Sequence, residues 1–171
     1  MLAISGSVGK HSTDHRILQF LSNRFSHILK FEIFDGIDKL PHFSTQLDNE
    51  HLPLEVLHFR TQIEKADGIL ICTPEYIFSL PGSLKNALEW NVSTRLFETK
   101  SVAMIVASAS GEKNFDSLAL ILETLGANVP MGSRLLIQGA KGKINEDFTI
   151  TDIKLLHEID SLMASFSRTV Y

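Results

Sequence analysis

Residues 73–90 read T-P-E-Y-I-F-S-L-P-G-S-L-K-N-A-L-E-W, and they directly follow an apolar run from Gly68 to Cys72. That run has the length and composition of a short buried strand. The chain then turns at Pro74, and Pro81 fits the first turn of a helix, where a missing N–H costs little. A strand, a polar loop and a helix N-terminus in this order present ligand contacts at the carboxyl end of a parallel sheet.

Short apolar runs alternate with helical periodicity along the whole chain. The predicted strands are residues 2–5, 30–34, 69–73, 101–107 and 135–138, and the predicted helices are residues 13–29, 53–66, 80–90, 115–125 and 150–166. The alternation predicts an α/β fold in which helices cover both faces of a parallel sheet, a three-layer sandwich. Five strands favour the flavodoxin-like order 2-1-3-4-5. No repeat or linker divides the chain, so we expect residues 1–171 to form a single domain.

Composition and charge argue against several classes of function. The formal net charge is −4 and the isoelectric point is about 5.9, so no basic surface points to nucleic acid or to an anionic membrane. No apolar stretch approaches the ~20 residues that cross a bilayer. The chain enters its first strand without the features of a signal peptide. The single cysteine, Cys72, lies within an apolar run, which predicts a buried thiol and a reducing, cytoplasmic location.

Residues 73–90 resemble the NAD(P)H-dependent FMN reductases, whose members typically read T-P-E-Y-N-x-S-x-P-G-x-L-K-N-A-x-D-W at this place. The resemblance implies a protein that binds FMN noncovalently and uses NADPH or NADH as co-substrate. Two electrons would then pass to a small-molecule acceptor such as a quinone, free flavin, azo dye or metal oxyanion. Because the cofactor carries out the redox chemistry, we expect no catalytic acid or base from the chain.

The resemblance also implies a homodimer or homotetramer in which the partner subunit helps to form the wall of the flavin site. Two segments are candidates for that contact. One is the apolar third helix, whose residues could equally fill the core of the chain. The other is the segment of residues 35–53, a loop long enough to be a candidate functional segment.

The first loop of the predicted site, residues 5–14, reads S-G-S-V-G-K-H-S-T-D. Small residues before a helix can bind a phosphate through backbone N–H groups, and the alternative is a plain strand–helix turn. The family commonly reads G-S-x-R-x-x-S-x-N here, so Gly9 replaces an arginine and Asp14 an asparagine. The candidate contacts to the FMN phosphate are Ser7, Lys10, Ser12, Thr13 and Asp14.

Asp14 conflicts with this assignment, because a carboxylate beside a phosphate dianion is unfavourable. The conflict is removed if the side chain turns away from the phosphate or caps the helix. Lys10 or His11 could restore positive charge to the loop.

The second and third loops would contact the flavin ring. By the resemblance, the backbone of Pro74, Glu75 and Tyr76 runs along the isoalloxazine edge. Ile77 replaces the usual asparagine, and Phe78 replaces a residue that is often glycine. Backbone contacts to the flavin would survive these changes, while the bulky pair of side chains would reshape the substrate pocket. In the third loop, the candidates for close backbone approach are Ser108, Ser110 and Gly111, although a plain surface turn also fits that segment.

Two other functions stay open at this stage. A flavodoxin-like electron carrier would bind FMN but show little direct turnover with NAD(P)H. A binding or regulatory module that has lost tight flavin binding would fit the departures at Gly9, Asp14 and Ile77. A metal site is not expected, because His11 and His15 are four apart but have no third ligand nearby in sequence.

Overall fold

The computed structural model describes residues 1–170, and its strands form a five-stranded parallel sheet in the order β2-β1-β3-β4-β5. The strands are β1 (Leu2–Ser5), β2 (Glu32–Phe34), β3 (Gly68–Thr73), β4 (Ser101–Ser108) and β5 (Arg134–Gln138). The α-helices are α1 (Thr13–Arg24), α2 (Leu54–Lys65), α3 (Gly82–Glu89), α4 (Glu112–Thr124) and α5 (Ile153–Val170). The predicted flavodoxin-like order is therefore confirmed.

Two apolar layers cover the sheet, because successive strand residues point to opposite faces. In β4, Val102, Met104 and Val106 belong to the core formed with α2, α3 and α4. Ala103, Ile105 and Ala107 belong to the core formed with α1 and α5. The last residue on the α1–α5 side is the small Ala107, which leaves space where β4 ends.

Several predicted element boundaries were wrong by a few residues. Helix α1 ends at Arg24 rather than at residue 29. Helix α5 begins at Ile153 rather than at residue 150, because the Asp152 side chain accepts a hydrogen bond from the Leu155 N–H (3.1 Å) and caps the helix. Helix α4 begins at Glu112, three residues earlier than predicted, because a side chain from another loop caps it, as described below.

The long segment of residues 35–53 is fastened to the body of the protein. The Phe43 N–H donates to Asn86 Oδ1 (2.7 Å), and Trp90 Nε1 donates to the Pro41 carbonyl (2.8 Å). Arg60 pairs with Asp48 at 2.8 Å, and both side chains are largely buried. The apolar residues of the third helix segment fill the chain's own core; these are Leu80, Leu84, Leu88 and Trp90.

No helix within residues 1–170 is both long and apolar enough to cross a membrane. Across the same residues, no cluster of three or more His, Cys, Asp or Glu side chains could hold a metal ion.

Candidate functional site

A cavity of about 600 Å³ opens at the carboxyl edge of the sheet, between the loops that follow four of the strands. Its volume lies within the range of ~300–1,000 Å³ that is usual for small-molecule sites. A larger, more open groove of about 740 Å³ runs along α5, away from these strand ends. The residues lining the cavity are Ser12, Thr13, Asp14, Pro74, Tyr76, Ala107, Ser108, Ala109, Gly139, Ala140 and Lys141.

The cavity contains members of all three predicted loops and adds a fourth loop that the sequence analysis missed. Six predicted residues line it: Ser12, Thr13, Asp14, Pro74, Tyr76 and Ser108. The missed segment is Gly139–Lys141, directly after β5. The sequence could have indicated this segment, because it follows the predicted fifth strand, and the carboxyl ends of all the parallel strands lie at the same sheet edge.

Asp14 organises the first loop from within. Its side chain is only 1% exposed, and Oδ2 accepts hydrogen bonds from Ser5 Oγ (2.6 Å) and the Ser7 N–H (2.9 Å). The carboxylate therefore turns into the loop and away from a bound phosphate, which reduces the conflict noted in the sequence. The consequence is that the Ser7 N–H is already engaged and is no longer a donor for an anion.

The N-terminus of α1 keeps unpaired donors at the cavity. Ser12 is the N-cap, with its Oγ accepting from the His15 N–H (3.3 Å). Neither the Thr13 nor the Asp14 N–H has an acceptor within residues 1–170. First-turn N–H groups together with the helix dipole form a favourable site for an anion.

Ser7 and Lys10 lie outside the cavity, in a small depression on the β2 side of the first loop. The Lys10 ammonium pairs with Asp35 at 3.4 Å, and both side chains are mostly exposed. Lys10 is therefore not placed to offset the charge of Asp14 at the cavity. The cation that lines the cavity is Lys141, from the loop that sequence analysis did not consider.

Glu75 fastens the second loop to the third. Its carboxylate accepts hydrogen bonds from the Gly111 N–H (3.0 Å) and the Asn114 N–H (3.1 Å), and Asn114 Nδ2 donates to the Pro74 carbonyl (2.6 Å). The carboxylate thus caps α4 from another loop, which explains the early start of this helix. The side chain of Glu75 is engaged in this contact, so only its backbone is available to a ligand.

The second loop closes in a tight turn. The backbones of Tyr76 and Ser79 exchange two hydrogen bonds of 3.0 Å, and the two residues between them are left-handed, Ile77 with φ 49° and Phe78 with φ 56°. This is the form of a type I′ turn, which asparagine and glycine favour. A bulky residue in this conformation costs about 1–3 kcal/mol. Ile77 is 96% and Phe78 72% exposed, so packing within the chain does not offset the strain.

Backbone donors remain in this loop for a ligand. The Tyr76 N–H is used in the turn, but the N–H groups of Glu75, Ile77 and Phe78 find no acceptor in the described part of the chain. Ile77 does not line the cavity, so its predicted place in the site depends on this backbone group.

Only one of the three predicted residues of the third loop lies at the cavity. Ser108 lines the cavity, whereas Ser110 and Gly111 do not. The N–H of Gly111 is engaged by Glu75, and its φ is 87°. A Cβ atom there would lie 2.7 Å from a Leu136 methyl, so a glycine is required by local packing.

The site contains no reactive thiol. Cys72 is fully buried, as predicted. Burial raises the pKa of the Cys72 thiol well above its ordinary value, and the nearby charge of Asp14 raises it further. The thiol therefore stays protonated at neutral pH and is not a nucleophile.

Comparison with known sequences now identifies the family. The sequence model for NADPH-dependent FMN reductases matches residues 1–141. The chain belongs to the NADPH-dependent FMN reductase family. The protein is therefore an oxidoreductase of a family that uses FMN as cofactor and NAD(P)H as electron donor.

Two curated relatives align over nearly the whole chain. The NADH:(hydroxy)cinnamate reductase subunit CrdA of Vibrio ruber is 31% identical over 96% of this chain and 84% of its own length. The NADH-dependent flavin reductase subunit 2 of Lactobacillus johnsonii is 27% identical over 99% of this chain and 96% of its own length. Proteins named as quinone reductases and azoreductases are also among the relatives of this FMN reductase.

A solved structure has the same architecture along its whole length. The flavoenzyme NAD(P)H:(acceptor) oxidoreductase FerB from Paracoccus denitrificans superposes with a TM-score of 0.87 at 26% identity. The superposition covers 99% of this chain and 95% of FerB. Flavodoxin-like folds recur among the other similar structures, which agrees with the strand order described above.

The residues at the cavity fit the requirements of FMN. The unpaired N–H groups of Thr13 and Asp14 suit the phosphate, and Lys141 adds positive charge to the lining of the same cavity. Ala107, Ala109 and Ala140 give part of the cavity small apolar walls that a planar ring requires. The departures at Gly9, Asp14 and Ile77 leave all of these features in place.

Proposed function

We propose that this FMN reductase binds FMN in the cavity at the carboxyl edge of the sheet and reduces a small planar acceptor there. The observation that carries the proposal is a cavity at which the α1 N-terminus presents unpaired backbone donors, and which Pro74 and Tyr76 of the β3–α3 loop also line. Bound FMN would accept a hydride from NAD(P)H and pass two electrons to the acceptor. The chain would bind, orient and enclose the reactants.

The first loop would hold the phosphate end of the cofactor. Thr13 and Asp14 would donate their backbone N–H groups, and Ser12 and Thr13 would offer hydroxyls. Pro74, Glu75 and Tyr76 would follow the ring edge, with Ser108 on the opposite side. Ser7, Lys10, Ser110 and Gly111 would act indirectly, through the shape of the loops.

Several relatives are named for acceptors of one chemical class. Their names include cinnamate, quinone and azo reductases, whose substrates carry a conjugated planar group. For a quinone the reaction would consume NAD(P)H, one proton and the quinone, and release NAD(P)⁺ and the hydroquinone. We propose a planar conjugated molecule of this kind as the acceptor.

We also propose that the protein is a cytoplasmic oligomer whose residues 1–171 act as one domain. The single cysteine, buried Cys72, excludes an internal disulfide and supports the location. The packing of α5 against the sheet through Leu155 and Ile159 supports the single domain. An apolar groove between α3 and α4, with Val92 and Leu120 exposed beside it, supports pairing of subunits. The two relatives that align over almost the whole chain are both named as subunits.

Steady-state kinetics test the proposed reaction. The FMN-loaded protein should oxidise NADPH or NADH when 1,4-naphthoquinone is present and form one naphthohydroquinone for each nicotinamide oxidised. Free FMN at the same concentration, without protein, is the control. If protein-bound FMN gives no rate above this control with either nicotinamide, the proposed reaction is wrong.

A further inference from the structure

The turn formed by Tyr76, Ile77, Phe78 and Ser79, called here the apolar turn, contains two unfavourable features. Both central residues are left-handed, at φ 49° and 56°, although one is β-branched and the other aromatic. Both side chains are also exposed to water, at 96% and 72%. Asparagine and glycine would form the same turn without strain and without exposed apolar surface.

No contact within residues 1–170 accounts for this choice of residues. The backbone bonds between Tyr76 and Ser79 would form with any residues that accept positive φ. Left-handed Thr99 and Phe148 also occur, but Ile77 and Phe78 are the only adjacent pair of non-glycine residues with positive φ within residues 1–170. Strain of this kind persists where it serves a site, so the observed outlier justifies a functional hypothesis.

The position of the apolar turn indicates what the side chains would contact. The turn begins at Tyr76, which lines the cavity and is itself about half exposed. Two side chains are far too small a surface for a stable protein interface, which buries about 800 Å² on each partner. They are large enough to cover one face of a ring that extends beyond the cavity.

We infer that Ile77 and Phe78 determine acceptor specificity by providing an apolar contact for planar aromatic acceptors. This inference rests on the proposed function, because it assigns residues to the acceptor of that reaction. The two side chains would favour a fused-ring quinone over a small hydrophilic acceptor such as ferricyanide, which gains nothing from apolar contact. With ferricyanide, two ions are reduced for each NAD(P)H oxidised, and one proton is released.

The double variant Ile77→Asn with Phe78→Gly tests the inference. It removes the apolar surface and keeps a turn that accepts positive φ at both positions. The measured quantity is the ratio of kcat/KM for 1,4-naphthoquinone to kcat/KM for ferricyanide, which does not depend on how much protein carries FMN. We expect this ratio to fall about tenfold, the scale on which apolar contacts discriminate between substrates.

Two further variants make the result specific. The apolar replacement Ile77→Leu with Phe78→Leu should keep the ratio within about twofold of the wild type, since it preserves apolar area. Ile153→Asn removes an exposed apolar side chain from α5, outside the site, and should leave the ratio unchanged.

An unchanged ratio in Ile77→Asn with Phe78→Gly, in a wild type that is active, would overturn the inference and leave the proposed function standing. So would a loss of subunit association with an unchanged ratio, which would assign the turn to a protein partner. A wild type that is inactive with both acceptors would refute the proposed function itself, and the inference with it.

Discussion

The first loop, residues 5–14, which includes the first two residues of α1, and the β3–α3 loop lie at the same sheet edge. Each contains one carboxylate, and the two carboxylates are used differently. Asp14 accepts hydrogen bonds from Ser5 and Ser7 within its own loop. Glu75 reaches out of its loop and accepts from Gly111 and Asn114 at the start of α4. The first loop is therefore shaped by local contacts, whereas the second takes its shape from a neighbouring helix.

The difference has a consequence for the site. The first loop places the negative charge of Asp14 close to the donors that would bind a phosphate. The same carboxylate therefore stabilises the loop and weakens the affinity of the loop for an anion. Both carboxylates lie at a helix N-terminus, where a negative charge is favourable, but Glu75 lies at α4 and not at the α1 donors. The charge of the second loop is therefore used at a helix that is not proposed to bind the phosphate.

The largest expected effect comes from the point at which the two loops touch. The Gly6 N–H donates to the Cys72 carbonyl (2.7 Å), and a Cβ atom on Gly6 would lie 2.1 Å from Thr73 Oγ1 and 2.4 Å from its Cβ. Gly6→Ala should therefore push the loops apart and lower the free energy of unfolding by about 3 kcal/mol. Urea denaturation measures this change.

Gly82→Ala is the matched control for this prediction. Apart from the two neighbouring residues and the backbone of its own helix, no atom of residues 1–170 lies within 4 Å of the position that its Cβ would occupy, and the residue begins α3. This variant should be neutral or more stable by about 0.5 kcal/mol. Equal destabilisation by the two alanines would mean that the loops do not meet at Gly6 in the way described.

A smaller loss of stability is expected when the second loop is released from α4. In Glu75→Gln the side chain has one oxygen for two backbone N–H groups, and the charge that assisted both bonds is gone. Because hydrogen bonds to charged groups contribute about 1.5–3 kcal/mol, we expect the free energy of unfolding to fall by about 2 kcal/mol.

Glu112→Gln provides the comparison, since it removes an exposed carboxylate from the first turn of the same helix. Its effect should stay within about 0.5 kcal/mol. If Glu75→Gln were no more harmful than Glu112→Gln in the same urea titration, Glu75 would not be the residue that joins the two loops.

The smallest expected effect isolates the charge of Asp14 from its hydrogen bonds. Both bonds reach the same oxygen, Oδ2, so the amide oxygen of Asp14→Asn can accept both. The loss of the charge should lower the free energy of unfolding by about 1 kcal/mol, less than in Glu75→Gln because both bonds are kept. FMN should bind about tenfold more tightly, or ~1.4 kcal/mol, without the repulsion. Fluorescence titration of FMN at low and high salt measures the gain, which salt should reduce. Unchanged affinity at low salt would place the phosphate away from this loop.

Most of the fold could be predicted from the sequence, because long periodic segments encode element type and order. The strand order was confirmed, and the errors lay at the ends of helices and strands, as at β2, which begins at Glu32 rather than at residue 30. The start of α4 could not be predicted, since the carboxylate that caps it comes from Glu75, thirty-seven residues earlier than Glu112. Such a cap depends on tertiary contact and leaves no local pattern.

The candidate site was predicted only in part. The signature at residues 73–90 located the second loop, and small residues indicated the first. Lys141 was missed because β5 was not treated as a contributor to the cavity. The left-handed conformation of Ile77 and Phe78 could not be predicted, because neither residue favours it. The replacement of asparagine and glycine at these positions indicated a change of side chains but not the conformation of the backbone.

The central claim, that FMN binds with its phosphate at the α1 N-terminus, is tested most directly by Thr13→Glu. A carboxylate here should stabilise the helix through its dipole and repel a phosphate, whereas Thr13→Gln adds bulk without charge. The measurement is the visible spectrum after FMN addition and desalting, repeated anaerobically with NADPH. We expect the wild type and Thr13→Gln to retain a flavin band that NADPH bleaches, and Thr13→Glu to retain none. A wild type without flavin, or Thr13→Glu that retains it fully, would contradict the account.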